Sequence, residues 1–239
     1  NDISNSDSGL MGYWKFNAGE GDILYDHSGN QKHGTIHGAE WVENIYGCID
    51  SYAINYNEIA NADDGSCEYP ENGDYLLRFD GTHSSYVNVD NSLLDDILGN
   101  NQKFVGMWVM AEDNEYNHGF ITFGSDAGGT ATTFRLLGSS HFLRLDVSNS
   151  THTSSVNFEL NQWEYIYAYW DGSHYHVGKL DGESIIDEQL NLPNYSNLSS
   201  EQLMIGRNVM NGQSGVTYRG GIDEVSIWSR VPSEEEIIS

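Results

Sequence analysis

The chain has 239 residues, enough for one large β-domain or two small ones, and 38% hydrophobic with 12% aromatic residues can fill a sizeable core. Ten Lys and Arg stand against 36 Asp and Glu, a formal net charge of −26. With no basic footprint to displace counterions from phosphates, that balance argues against nucleic acid and against electrostatic attachment to an anionic membrane. No apolar stretch is long enough to cross a bilayer, so no membrane insertion is expected. The same charge suits calcium, a hard cation that takes oxygen ligands, and equally suits a surface that resists aggregation.

In chain order, the polar lead-in NDISNSDS (1–8) reads as flexible, and with no signal peptide ahead of it the chain reads as a piece of a larger protein. LMGYWKFN (10–17) alternates enough to predict a strand, and GEGDILYDHSGNQKHGTIHGAEWV (19–42) predicts turns with short extended pieces. GCIDSYAINYNEIANADDGSC (47–67) reads as neither strand nor helix and holds the only two cysteines, Cys48 and Cys67. Their neighbours are polar, which argues against two free buried thiols, and no His lies inside the loop to complete a zinc site. A disulfide in an oxidising compartment is therefore expected. Its closure would add roughly 3 kcal/mol in the chain-entropy model.

YLLRFDGTHSSYVNVD (75–90) predicts strand, turn at Asp80-Gly81, strand. KFVGMWVMA (103–111) is a near-continuous apolar run, fit for a central strand. GFITF, TTFRLLG and HFLRLDVS predict short strands, and EYIYAYWDGSHYHVGKLDGESI predicts three strands divided by two Asp-Gly turns. QLMIG and GGIDEVSIWS close the set. Only the tail reads as helical, where Ser233 and Glu236 fit a capping box. Strand signals at short, even spacing with no long helical period predict an all-β, two-sheet antiparallel sandwich, and the lack of a linker or repeat favours one domain over two.

The quoted ends carry a resemblance. Apolar-x-x-Trp-x-Phe followed by Asp-x-Ser-Gly-Asn, then LRFDGTHSSYVNV as a hairpin, LNQWEYIYAYWDG, and GGIDEVSIWSRVPSEEEI resemble the laminin-G-like, concanavalin-type jelly-roll domains. The resemblance implies a jelly roll over 9–239 with a short C-terminal helical turn, and it marks 44–70 as an inserted disulfide loop in a surface connection, where long insertions are tolerated. The cysteine loop itself resembles a short acidic motif of large secreted proteins.

Catalysis is not expected. Sandwich glycosidases need two carboxylates on one strand face, whereas Glu112-Asp113 and Asp223-Glu224 are adjacent and would point to opposite faces. Gly-x-Ser-x-Gly, His-Glu-x-x-His and phosphate-loop patterns are absent. His174 and His176 could share a strand face as a metal pair or proton shuttle, or be exposed hairpin histidines.

A structural calcium is expected from the resemblance, which implicates Asp26, Asn30 and Asp223, with a backbone carbonyl near His33. The other reading of Asp26 and Asn30 is side-chain-to-backbone turn bonds. In the cysteine loop Asp50, Asn55, Asn57, Asp63 and Asp64 are oxygen donors, with Gly65 allowing a sharp turn. Either a second calcium or a knot of Asx turns would order that loop.

For a ligand, Trp14, Trp41, Trp108, Trp163 and Trp228 fall where the resembled family has core positions, and Trp170 precedes an Asp-Gly turn, so no Trp reads as spare. The remaining candidates are Tyr116, His118, His141 and Tyr175, with Tyr195 and Tyr218, and Arg207 as a polar partner. Arg135 and Arg144 lie on adjacent predicted strands and could share one sheet face. Two arginines could hold an acidic sugar or sulfate bidentately, or pair with the many carboxylates.

The expected function is non-catalytic glycan recognition by a calcium-stabilised module of a larger secreted or surface protein, in contact with that protein's other domains. The rival readings are a structural or adhesive spacer and a polysaccharide-cleaving enzyme using Tyr and His.

Overall fold

A computed structural model describes residues 3, 8–70, 75–90, 92, 101–112, 117–125, 132–147, 150–192, 202–208 and 216–238. It divides into two compact units, Asn1–Gly73 and Asp74–Ser239.

The first unit has little regular structure. β1 (Ile23–Leu24) and β2 (Gly34–Thr35) pair antiparallel, and β3 (Tyr46–Gly47) and β4 (Ala62–Asp63) pair parallel. The expected strand over 10–17 does not form: only an isolated bridge joins Trp14 to Asp26. Phe16 stands at φ 53°, a left-handed conformation that interrupts an extended chain. The buried residues among those described in this unit are Asp26, Ser28, Cys48 and Ala53. With so small an apolar interior, covalent and hydrogen-bond ties take over. Cys48 and Cys67 form the expected disulfide, and the indole N–H groups of Trp14 and Trp41 donate to the carbonyls of Lys32 and Gly21.

The second unit is a sandwich of two six-stranded antiparallel sheets. The remaining strands are β5 (Leu77–Asp80), β6 (Val87–Val89), β7 (Lys103–Ala111), β8 (Asn117–Ser125), β9 (Thr132–Ser139), β10 (Phe142–Val147), β11 (Ser150–Asn157), β12 (Glu164–Trp170), β13 (Tyr175–Asp181), β14 (Ser184–Leu190), β15 (Leu203–Ile205) and β16 (Arg219–Trp228). One sheet runs β11-β10-β9-β8-β15-β6 and the other β14-β13-β12-β7-β16-β5. The chain therefore passes from sheet to sheet several times, as a jelly roll requires.

Period-two alternation sets the core. On β7, Val105, Met107, Val109 and Ala111 face inward and are fully buried, opposite Ile121, Leu136 and Leu145 of the other sheet, within one continuous apolar cluster. The apolar run over 103–111 is the central strand its sequence predicts, flanked by β12 and β16. The segment 75–90 is not the expected hairpin: β5 and β6 belong to different sheets. The Asp80-Gly81 turn instead sends the chain across the sandwich, with Gly81 at φ 82° and Asp80 Oδ1 accepting the Thr82 N–H at 2.8 Å. The tail forms α1 (Glu234–Ile238), opened by the expected capping box: the Ser233 N–H donates to Glu236 Oε2 at 2.8 Å and the Glu236 N–H to Ser233 Oγ at 3.3 Å.

Candidate glycan-binding face

β9 and β10 form a hairpin closed by Ser140 and His141, both left-handed at φ 51° and 70°, the backbone of a two-residue type I′ turn. This turn sets the register, which pairs Arg135 with Asp146 and Leu137 with Arg144. Leu136 and Leu145 point into the core, so Arg135, Leu137, Arg144 and Asp146 all project from the outer face of the first sheet. The two candidate arginines thus share one face as diagonal cross-strand neighbours.

Asp146 sits between them. Arg144 Nε donates to Asp146 Oδ1 at 2.7 Å and Nη2 to Oδ2 at 2.8 Å, a two-point fork within one strand. The Asp146 side chain is 3% exposed and that of Arg144 23%, so the arginine is the more open partner of the fork. Burial pushes the Asp146 carboxyl above its ordinary range, and the bonds and charge of Arg144, then the charge of Arg135, pull against that rise.

The same face continues across the sheet. Thr122 is the register partner of both Arg135 and Met204. The Thr122 hydroxyl donates to the Arg207 carbonyl at 3.3 Å, and the Arg207 guanidinium stacks 5.0 Å from the centroid of Tyr86. Tyr86 is 40% exposed. Beside them Asn208 is buried, yet neither its Nδ2 nor its Oδ1 has a hydrogen-bond partner among the described residues. Three of the chain's ten cations, Arg135, Arg144 and Arg207, therefore lie along one sheet of a strongly acidic protein, Arg135 buried and the other two part-exposed. Sequence reading had grouped only the two on β9 and β10. Tyr86, Thr122 and Asn208 gave no signal, because a strand's neighbours across a sheet are not encoded in its own pattern.

Other expected ligand residues lie elsewhere. His118 is buried inside an aromatic core cluster, with ring centroids 5.6 Å from Phe158 and 6.0 Å from Tyr218. Tyr175 faces inward on β13 and packs against Trp170 at 4.4 Å, and Tyr218 is likewise buried. None of the three can line a surface site. His141 occupies the hairpin turn, while Tyr116 and Tyr195 lie outside the described residues. The tryptophans also differ from expectation: Trp14 and Trp163 are 39% and 38% exposed, and of the six only Trp170 is fully buried.

The acidic loops are held by hydrogen bonds. Asp26 Oδ1 accepts the N–H groups of Tyr13 and Ser28, and Oδ2 accepts the Ser28 hydroxyl and the Lys32 N–H, all at 2.8–2.9 Å. Burial works against its ionisation, but these bonds prevail and hold the carboxyl well below the usual range. Asn30 Nδ2 donates to the carbonyls of Leu10 and Met11, and His33 Nδ1 accepts the Asp26 N–H. Both Asp26 oxygens are filled by these donors, so the residues as placed do not fit a calcium ion. Asp223 belongs to the second unit, at the β16 bulge, where Oδ1 accepts the Glu224 N–H. In the cysteine loop Asp50 accepts from the Tyr52 N–H and the Tyr69 hydroxyl, Asp63 from the Gly65 N–H and Asp64 from the Ser66 N–H. These are the Asx turns of the alternative reading, and among the described residues no three His, Cys, Asp or Glu converge as a metal site.

One further polar cluster lies on the outer face of the second sheet. His176 Nδ1 is 2.7 Å from Asp187 Oδ2, its ring stacks on Tyr169 at 4.4 Å, and the Tyr167 hydroxyl donates to Asp187 Oδ1 at 3.2 Å. His174 precedes β13, so the two histidines do not form a strand-face pair. Burial first, then the Asp187 charge, pushes both tyrosine hydroxyls far above their usual range. They remain neutral donors, and neither can serve as a base near neutral pH.

Two six-stranded antiparallel sheets with sheet-to-sheet crossovers and a polar, arginine-bearing face define a lectin-type jelly roll. The chain belongs to the laminin-G branch of the Concanavalin A-like lectin/glucanases superfamily, whose sequence profile matches residues 80–238. That match lies in the second unit. No curated protein sequence matches the chain. Among solved structures, the Ruminococcus gnavus IT-sialidase CBM40 bound to α2,3-sialyllactose superposes with a TM-score of 0.56 at 11% identity, covering 69% of this chain and 95% of that one. The Streptococcus pneumoniae NanB sialidase K499G mutant matches with TM-score 0.53 at 15% identity, over 69% of this chain and 27% of that one. The leech intramolecular trans-sialidase matches with TM-score 0.55 at 10% identity, over 69% and 26%. At such identities the likeness is one of fold.

Proposed function

We propose that the chain is a non-catalytic glycan-recognition module, carried by a larger secreted or surface protein, that holds acidic sugars on the outer face of its first sheet. The observation that carries this reading is that part-exposed Arg144 and Arg207 and exposed Tyr86 lie on that one sheet, with Arg135 buried beside Asp146, in a chain of net charge −26. Arg144 is part-exposed and the fork to Asp146 fixes its direction, an arrangement suited to receiving a carboxylate. Tyr86 offers an apolar ring face beside a cation, which suits a pyranose. The CBM40 fold, seen elsewhere with sialyllactose bound, supports a saccharide ligand. The neutral tyrosines around His176 support binding without cleavage. The disulfide supports an oxidising, extracellular setting.

The spacer reading also has an observation in its favour: Arg135 and Asp146 are each 2% exposed, as in a purely structural ion cluster. A glycan array decides between them. Selective retention on carboxylated or sulfated glycans, weakened by added salt, is expected. An array with no retention on acidic glycans would leave the spacer.

A further inference from the structure

Arg219 is exposed and makes no ion pair among the described residues, although the chain holds 36 carboxylates to ten cations. It lines, with Arg78, Phe79 and Asp80, a cavity of about 260 Å³ at the β5–β16 end of the second sheet. That is just below the usual range of ligand pockets, about 300–1,000 Å³, and suits a single ring. The register sets Asp80 opposite Arg219 and Arg78 opposite Gly221, so these positions share the outer face. The Asp80 carboxylate is committed to its turn by the Thr82 N–H. Arg78 pairs with Glu112 and still exposes 66% of its side chain.

Gly221 supplies the other half of the site. Its missing side chain leaves room on the sheet, and Trp163 fills it: the indole Cη2 and Cζ2 lie 2.7 and 3.0 Å from where a Cβ would be, with Leu76 Cδ1 at 3.3 Å. The indole therefore lies against the sheet over Gly221, the register partner of Arg78, and Trp163 is 38% exposed, with Leu76 43% exposed beside it. An exposed indole over Gly221, the register partner of Arg78 and two residues from Arg219, sets an apolar stacking surface on the same outer face as the arginine-lined cavity.

We infer that this corner is a second saccharide subsite, separate from the first-sheet face, that takes a single carboxylated sugar ring. Trp163 packs against the ring's apolar C–H face, and Arg219, assisted by Arg78, holds the carboxylate. The subsite does not depend on the first-sheet reading, since its residues lie on the other sheet.

The test follows the indole Nε1–H signals of the full chain by ¹H–¹⁵N NMR during titration with D-glucuronate, D-glucose and sodium sulfate. Trp163→Phe assigns its signal, and the five other indole signals report that the fold is kept. Glucuronate is expected to move the Trp163 signal saturably, with glucose at least about tenfold weaker. Arg219→Ala should weaken glucuronate about tenfold or more, Arg219→Lys less, and Arg144→Ala not at all. Sulfate binding without any response to glucuronate would mean a bare anion pocket and overturn the sugar assignment. Undiminished glucuronate binding in Arg219→Ala, or its loss in Arg144→Ala, would place the ligand elsewhere and overturn the site.

Discussion

Arg144 and Asp146, two residues apart on β10, share one face of the sheet and join through two parallel hydrogen bonds of 2.7 and 2.8 Å. A side-chain fork of this kind removes rotamer freedom from the arginine before any ligand arrives, and preorganisation of that sort favours binding over adaptability. If the fork presents Arg144 to an acidic sugar, Arg144→Ala should weaken binding by about 10- to 100-fold, the range for a charged hydrogen bond, with the unfolding midpoint little changed. Arg144→Lys should recover only part of the loss, because an ammonium cannot satisfy both Asp146 oxygens and a ligand carboxylate at once. Calorimetric titration of the three proteins measures this.

Leu145, between those two residues, points the other way and is fully buried in the core. Leu145→Ala should cost about 2–5 kcal/mol in urea unfolding of the second unit. A cost under 1 kcal/mol would contradict the inward orientation that places Arg144 and Asp146 outside.

In the first unit, where few side chains are buried, Cys48→Ser with Cys67→Ser should lower stability by about 3 kcal/mol. The loss should appear in proteolysis of the segment around 44–70 and leave the unfolding of Asp74–Ser239 unchanged.

Asp26 gives the first unit a pH dependence of defined sign. Its folded carboxyl lies below the 3.8 of the free group, because four donors stabilise the anion in excess of the burial that opposes it. Its contribution is therefore present above the unfolded value and lost as pH falls through the folded one. Resistance of residues 8–42 to proteolysis should decline between about pH 4 and pH 2, and Asp26→Asn should flatten that decline. The same saturated carboxylate predicts that chelating calcium leaves the melting temperature unchanged. A drop of several degrees on chelation would mean that Asp26, Asn30 and His33 rearrange around an ion.

Much of the fold was legible. The apolar run at 103–111, the Arg-bearing strands β9 and β10, and the Asp-Gly turns at 171–172 and 181–182 each carry a local signal strong enough to fix strand, face or turn. What was not legible is non-local. The pattern of 75–90 announces two strands but not that they join different sheets, since alternation looks the same in both. His118 and Tyr175 resemble surface residues in sequence, and only the sandwich shows that they face inward. Trp163 read as a core position because nothing in its own segment reveals that Gly221, 58 residues on, leaves it a place on the outer surface. The arginine face was half legible: Arg135 and Arg144 share a hairpin, whereas Arg207 and Tyr86 reach it through β15 and β6.

The most direct measurement is calorimetric titration of the full chain with 3′-sialyllactose and with lactose, repeated on Arg144→Ala and Arg219→Ala. Recognition on the first sheet predicts that sialyllactose binds, lactose does not, Arg144→Ala weakens the sialyllactose binding by about 10- to 100-fold and Arg219→Ala leaves the Arg144-dependent binding in place. Equal binding of lactose and sialyllactose, or full binding by Arg144→Ala, would contradict it.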